Sequence, residues 1–275
     1  MNIFEYKKEI EKRFLTHNID KNEVNILFCE ALNIDYTKLL TIKDISSKQK
    51  KQIEMAVKKR IKGKPIQKIF KRAYFFGYEF YVNKNVLCPR PETELLVEEC
   101  LKFAKQQSRI LDLCTGSGAI AISVQKNSGA NCFASDISTK ALYVARKNAK
   151  ALGAKVRFLK SDMFENIKSK FDIIVSNPPY IPSKDIEGLD KEVKNYDPKI
   201  SLDGGDDGLD FYRLIAQNAK QHLNKNGKVL LEVGKGQANK VKKMLEKNGF
   251  VCYIKKDYNN IDRIVVGELY DWKMR

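Results

Sequence analysis

The sequence predicts an α/β protein: a mostly parallel, seven-stranded sheet covered on both faces, preceded by a small N-terminal helical bundle. Three observations predict it. From residue 109 onward, short apolar runs alternate with helical periodicities, the pattern of successive βαβ units. The first run ends in Cys114-Thr115-Gly116-Ser117-Gly118, a glycine-bearing turn at a strand-to-helix junction. The fourth ends in Asn177-Pro178-Pro179-Tyr180. There, two adjacent prolines with φ fixed and no N–H must stop the ladder.

Each element follows from local chemistry. Residues 3–62 read as helices, with Ile3, Phe4, Ile10, Phe14 and Leu15 at helical spacing up to His17-Asn18. Asp20 with Glu23 has the form of a capping box leading into Val24, Leu27 and Phe28. Ser46 or Ser47 starts a further helix through Ile53 and Val57, stopped by Gly63 and Pro65. The aromatic-rich stretch Ala73 to Val82, centred on Gly77, predicts a hairpin. Cys88-Pro89-Arg90-Pro91-Glu92-Thr93-Glu94 then opens a helix over about 92–105, with proline at its start and acids in its first turn. Strands are expected at 109–113, 131–135, 156–159, 171–176, 228–233, 251–255 and 263–269, and helices near 119–127, 138–151, 208–222 and 236–247. The last two strands have no helix between them, so the final one should enter antiparallel. The expected organisation is a helical bundle over 1–72, a hairpin linker over 73–90 and a catalytic domain over 91–275.

Composition narrows the class. No apolar run approaches the roughly 20 residues of a membrane span, and the N-terminal segment is too acidic for a secretory or transit peptide. Six cysteines without CxxC spacing or a partnering histidine predict neither a zinc site nor a disulfide scaffold, and no other metal site is expected. A cytoplasmic location is the simple expectation. The net charge is +17, of which residues 1–72, with 18 basic and 9 acidic side chains, carry +9. That density suits an acidic macromolecular partner; lysine-rich compositional drift accounts for it equally well.

The chemistry-bearing residues cluster at predicted strand ends. Gly116 and Gly118 allow close backbone approach to a ligand, but Ala121 occupies the third glycine position of a dinucleotide fingerprint, which disfavours a pyrophosphate site. Asp136, ending the second strand, can accept both hydroxyls of a ribose or else cap the helix beginning at Ile137-Ser138. Asp162 and Met163 are placed to border a base, the first taking its amine and the second covering its face, or they are ordinary loop residues. Asn177 and the Pro178 carbonyl offer two acceptors beside the Tyr180 ring. That set suits a planar group bearing an NH₂, such as a carboxamide or a base amine, and a proline-stiffened turn is the alternative. All four positions lie on the carboxyl edge, where open α/β sheets bind ligands.

This ground plan resembles that of class I S-adenosylmethionine-dependent methyltransferases, which have a Rossmann-like sheet. More closely, several segments taken together resemble the PrmC/HemK family. They are Pro65-x-Gln67, Phe76-Gly77, Leu87 to Glu94, the Gly-Ser-Gly loop, Asn177–Tyr180, Gly204-Gly205-x-Asp207-Gly208-Leu209 and Leu231-Glu232-Val233-Gly234. The resemblance covers essentially the whole chain. It implies methyl transfer from S-adenosyl-L-methionine, leaving S-adenosyl-L-homocysteine. The acceptor it implies is the side-chain amide nitrogen of the glutamine in the Gly-Gly-Gln loop of class I peptide-chain release factors, in support of translation termination. It implies a cofactor site at Cys114, Thr115, Gly116, Ser117, Gly118, Asp136, Met163 and Asn177. Glutamine binding falls to Asn177, Pro178, Pro179 and Tyr180, and catalysis to Asn177, Pro178 and Tyr180. Arg90 and Glu92 are secondary candidates, equally explained by packing at a helix start. Lys68, Phe70 and Ser201 depart from the family pattern away from the chemistry. Cys114 stands where many relatives have glycine, so a positive φ cannot be required there. No membrane partner and no direct nucleic-acid substrate are expected, since no large target-recognition insertion is visible. A base-directed amino-methyltransferase and an inactive RNA- or ribosome-binding module are the competing classes.

Overall fold

The computed structural model describes residues 2–269. The chain divides into two compact units: residues up to 72 together with 191–196, and residues 73–190 together with those from 197 onward.

The first unit is helical: α1 (Ile3–Leu15), α2 (Glu23–Leu32), α3 (Tyr36–Thr41), α4 (Ser47–Ile61) and α5 (Ile66–Phe70). It is joined by Lys191–Tyr196, which is α9 in chain order. Tyr6, Ile10 and Phe14 fall on one stripe of α1 at four-residue spacing and are buried with Val24, Leu27 and Phe28 of α2 and Ile53 and Val57 of α4. Ser46 caps α4 in a reciprocal box with Gln49. The capping box expected at Asp20 and Glu23 does not form. Helix α2 begins at Glu23 itself with Asn22 at its N-cap, and the Asp20 carboxylate accepts instead from Asn22 N at 2.9 Å. A local Asx turn thus wins over the cap. Helices α3 and α5 were not expected, because six and five residues are too short to show a periodicity. Buried Arg60 binds Glu23 through two nitrogens and reaches Glu192 of α9 at 2.6 Å. That contact ties a segment distant in sequence to the helical unit.

In the second unit β1 (Arg72–Phe75) and β2 (Tyr78–Tyr81) form a two-stranded sheet across Phe76-Gly77, and α6 (Pro91–Leu101) follows. The alternating region then runs β3 (Arg109–Leu113), α7 (Ala119–Ser128), β4 (Asn131–Asp136), α8 (Thr139–Leu152), β5 (Val156–Lys160) and β6 (Phe171–Ser176). Beyond α9 come α10 (Asp210–Asn218), β7 (Leu223–Glu232), α11 (Ala238–Lys247), β8 (Phe250–Lys256) and β9 (Asp262–Leu269). The sheet order is β5-β4-β3-β6-β7-β9-β8, with β9 antiparallel to both neighbours, as expected of the final strand. The helix expected over 208–222 is α10 followed by a short 3₁₀ turn at Ala219–His222.

Strand periodicity divides the core between the two faces. Ile110, Ile173, Val175, Leu230 and Ile264 pack with α6 and α7. Leu111, Leu113, Ile174, Leu231 and Val265 pack on the opposite face with residues of α10 and α11. Both faces are covered, so the central strands read as largely apolar runs, interrupted by Asp112 in β3 and Asp172 in β6. Among the described residues no helix is long and apolar enough to cross a membrane, and all six cysteines are free thiols.

Candidate active site

The chain order reverses between β3 and β6, and the carboxyl ends of adjacent strands part there to leave a crevice. A cavity of about 360 Å³ occupies it, lined among others by Gly116, Asp136, Met163, Asn177 and Phe211. The predicted residues at four separate strand ends thus converge on one space. Pro179 also lines it, as do Cys114 and Asp162; Pro178 and Tyr180 are not among its lining residues, and neither are Thr115, Ser117 and Gly118.

Those three are spent inside the fold. Thr115 Oγ1 donates to buried Asp112 at 2.6 Å, and Ser117 O accepts from Asn148 Nδ2 at 2.9 Å. A Cβ on Gly118 would lie 2.9 Å from Ile122 Cδ1 and 3.1 Å from Ala145 Cβ, so this glycine lets α7 and α8 approach each other. Cys114 overturns the expectation for its backbone: φ is +59°, in the left-handed region, although the residue is not glycine. The turn imposes this conformation, at a strain of about 1–3 kcal/mol. The Cys114 thiol, raised in pKa by burial, sits 3.7 Å from Met163 Sδ. Burial also pushes the Asp112 carboxyl up to about 7, against the lowering effect of Thr115 and the Ala121 N–H.

Asp136 does not cap the following helix; Ser138 does, accepting from Ala141 N at 3.2 Å. The Asp136 carboxylate instead accepts Gly116 N on Oδ2 at 2.9 Å and Ser138 N on Oδ1 at 2.8 Å. Each oxygen retains a lone pair, a donor-free arrangement suited to a vicinal diol. Burial raises its pKa and these two N–H groups oppose the rise. With the apolar surface of Met163 and Ile137 beside it, the residues present fit the nucleoside end of S-adenosylmethionine.

The Asn177–Tyr180 turn is braced from several sides. A Cβ on Gly204 would meet Tyr180 Cα at 2.8 Å and Pro179 O at 2.9 Å, and one on Gly208 would meet Tyr180 O. The Gly204–Leu209 loop therefore lies backbone against backbone on the proline turn. Gln237, which the sequence reading did not single out, closes the clamp. Its Nε2 donates to Tyr180 O at 2.9 Å and to Gly208 O at 3.3 Å, while its Oε1 accepts from Gly234 N at 3.0 Å. Asn177 Nδ2 donates to Thr93 Oγ1 of α6 at 3.1 Å. Below them Glu232 ends β7 with its side chain buried, pushed up to about 7 mainly by desolvation. Of the secondary candidates, Arg90 pairs with Asp197 at 3.2 Å, and Glu92 is exposed in the first turn of α6. Glu232 and Gln237 each lie in or just beyond a motif, but only their contacts give them a place in the site.

Comparison with known proteins accords with this geometry. Residues 5–70 match the model of the PrmC N-terminal domain, and residues 90–190 that of the methyltransferase small domain. A release factor glutamine methyltransferase of Thermodesulfovibrio yellowstonii is 42% identical over 94% of this chain and 95% of its own length. One from Bacillus cereus is 36% identical over 98% of this chain and all of its own. Among solved structures, a methyltransferase from Pyrococcus furiosus covers 72% of this chain and 91% of its own, with a TM-score of 0.57 at 20% identity, and so shares the fold. The sheet is that of a class I methyltransferase, and the chain belongs to the release factor glutamine methyltransferase family.

Proposed function

We propose that the chain methylates the side-chain amide nitrogen of the glutamine in the Gly-Gly-Gln loop of class I release factors, using S-adenosyl-L-methionine. The observation that carries the proposal is that Asn177 and Pro179 line the same cavity as Gly116, Asp136 and Met163. An amide-binding turn thereby borders a nucleoside-binding crevice. When bound, S-adenosylmethionine supplies an electrophilic methyl group on a sulfonium.

The chain's residues then act mainly by placement. An amide nitrogen is a poor nucleophile because its lone pair is delocalised into the carbonyl. Asn177 Oδ1 and the Pro178 carbonyl would each accept one N–H of the substrate amide and aim its nitrogen at the methyl. As nitrogen gains positive charge its N–H groups become more acidic, so both bonds strengthen toward the transition state. Tyr180 would pack on the amide plane. Methyl transfer would replace one amide N–H by N–CH₃, releasing S-adenosyl-L-homocysteine and a proton to solvent. Asp136 would hold the ribose hydroxyls, and Met163 would cover the base.

A short loop glutamine presents too little surface to select one protein, so a second contact is needed. We assign it to the helical unit. Along α4, Lys48, Lys51, Lys58, Lys59 and Lys62 form an exposed stripe around Met55, itself half exposed. The test supplies labelled cofactor with a release factor, its Gln→Ala loop variant, and bulk RNA or DNA. Label on the wild-type factor alone is the expected result; label on nucleic acid or on the loop variant would overturn the proposal.

A further inference from the structure

The Glu232 carboxyl is a buried ionisable group that the chemistry above does not use. Its residue is 2% exposed, and Oε2 has no hydrogen-bond partner among the described residues. Thr93 of α6 and Asn177 are the side chains beside the carboxyl that favour its ionised form, Thr93 with the larger effect, and Asn177 Nδ2 donates to Thr93 Oγ1 at 3.1 Å. Three residues from three elements therefore share one polar cluster in an otherwise apolar interior. A solitary buried carboxyl there disfavours folding, so its presence points to a use.

The use lies in the asymmetry of an asparagine amide. Its two ends have nearly the same shape, and the groups it faces decide which one is presented. A carboxylate only accepts hydrogen bonds. Beside it the Thr93 hydroxyl, whose oxygen accepts from Asn177 Nδ2, would turn its own proton to the carboxylate. The Asn177 NH₂ is thereby held toward the protein, and Oδ1 is the end left for a ligand. A protonated carboxyl can itself donate to Thr93. Thr93 can then donate to Asn177 Oδ1, and the amide turns over to present an NH₂ to a substrate that is itself an NH₂.

We propose that Glu232, acting through Thr93, is the positioning residue that sets the polarity of Asn177, so that amide methylation requires its ionised form. This inference rests on the amide-methylation reading proposed above. The charged and titratable groups around Glu232 come from several elements: Arg263 of β9 lowers its pKa and Glu92 of α6 raises it. Tyr180 and Tyr212 also sense its charge, and Tyr212 Oη donates to the Glu232 main-chain carbonyl at 2.8 Å. Desolvation is the largest influence and leaves the carboxyl titrating at about 7. The wild-type turnover should therefore rise with pH through that region and level off above it.

The experiment combines activity with a readout that needs none. The enzyme is assayed from pH 6 to 8.5 at saturating cofactor and release factor as wild type, Glu232→Gln, Thr93→Val, Thr93→Ser and the Glu232→Gln/Thr93→Val double variant. Glu232→Gln should lower kcat about 10- to 100-fold at pH 8, the loss of one charge-assisted contact, and flatten the acid limb. Thr93→Val should match it, Thr93→Ser should restore most of the rate, and the double variant should be no worse than either single one. Cofactor affinity by calorimetry should stay within twofold. In parallel, the Asn177 side-chain amide resonances, assigned by their loss in Asn177→Asp, should shift with pH in wild type at the midpoint of the Glu232 carboxyl carbon, and not in Glu232→Gln. Absence of that shift would overturn the relay whatever the activity. A Glu232→Gln enzyme with wild-type kcat and pH profile would overturn it too. A Thr93→Val enzyme that keeps the wild-type profile while Glu232→Gln loses it would replace the relay by direct proton acceptance at Glu232. A wild-type enzyme that titrates as expected but transfers no methyl to the factor would instead overturn the proposed function.

Discussion

At the scale of single residues the cavity separates groups that bind from groups that activate. On the proposed reading, Asn177→Ala would remove one hydrogen bond to a nitrogen that gains charge, a contact worth roughly 1.5–3 kcal/mol, so turnover should fall about 10- to 150-fold. Turnover within twofold of wild type would refute its catalytic assignment. In the proposed function Asp136 would touch the part of the cofactor that does not react, so its contacts would be alike in ground and transition states. Asp136→Ala should weaken cofactor binding by calorimetry more than it slows saturated turnover. Asp112 gives a stability prediction with a definite sign. Its folded-state pKa, about 7, lies above the ordinary value of 3.8. Between roughly pH 4 and 7 the folded state thus holds a proton that the unfolded chain releases. Its contribution falls as pH rises through that window and is flat above it. Asp112→Asn should therefore raise the melting temperature relative to wild type more at pH 8 than at pH 5.5, and an equal difference at both would show that the carboxyl does not titrate there.

At the scale of elements, loops after strands carry the chemistry and glycines let them touch. The Gly204–Leu209 loop and Gln237 at the start of α11 hold the proline turn by main-chain contacts, with Nε2 of Gln237 as donor to two carbonyls. Gln237→Glu replaces that donor by an acceptor and sets it against both carbonyls. It should lower turnover about tenfold or more while Asp136-dependent cofactor binding is little changed, and calorimetry alongside single-turnover rates would separate the two. Gly208, at φ +73° with its Cβ direction blocked by Tyr180 O, should tolerate no side chain. The helical elements depend on caps instead: Ser46→Ala should destabilise the α4 start by about 1 kcal/mol, read as a lower melting temperature.

At the scale of the whole molecule the charge is uneven, and residues 1–72 hold +9 of +17. A docking role for its α4 stripe predicts that Lys51→Glu with Lys58→Glu lowers kcat/KM for the release factor while leaving cofactor affinity unchanged. The loss should be steepest at low salt, because steering is screened over about 8 Å near physiological ionic strength. Equal kcat/KM in the variant would return the stripe to compositional drift. Charge reversal is preferred to deleting residues 1–72, because Lys191–Tyr196 belongs to the same unit and Arg60 would leave Glu192 unpaired.

The α/β alternation and the strands of the sheet were legible in the sequence, because buried central strands write mostly apolar runs such as Ile173-Ile174-Val175 and turns write glycine and proline. The convergence of Gly116, Asp136, Met163 and Asn177 was legible too, since all four sit at strand ends and a parallel sheet brings those ends to one edge. What sequence could not decide were the contacts between residues far apart along the chain. The short helices α3 and α5 are too brief to show a period, and Asp20 chose a turn over a cap on a balance of local bonds. Cys114 takes a positive φ because the whole turn compels it, against its own preference. The clamp of Gln237 on Tyr180 and the contact of Asn177 with Thr93 join residues 57 and 84 positions apart by single hydrogen bonds. Only the tertiary structure settles such pairings, because a buried polar group takes whichever partner the packed backbone brings within reach.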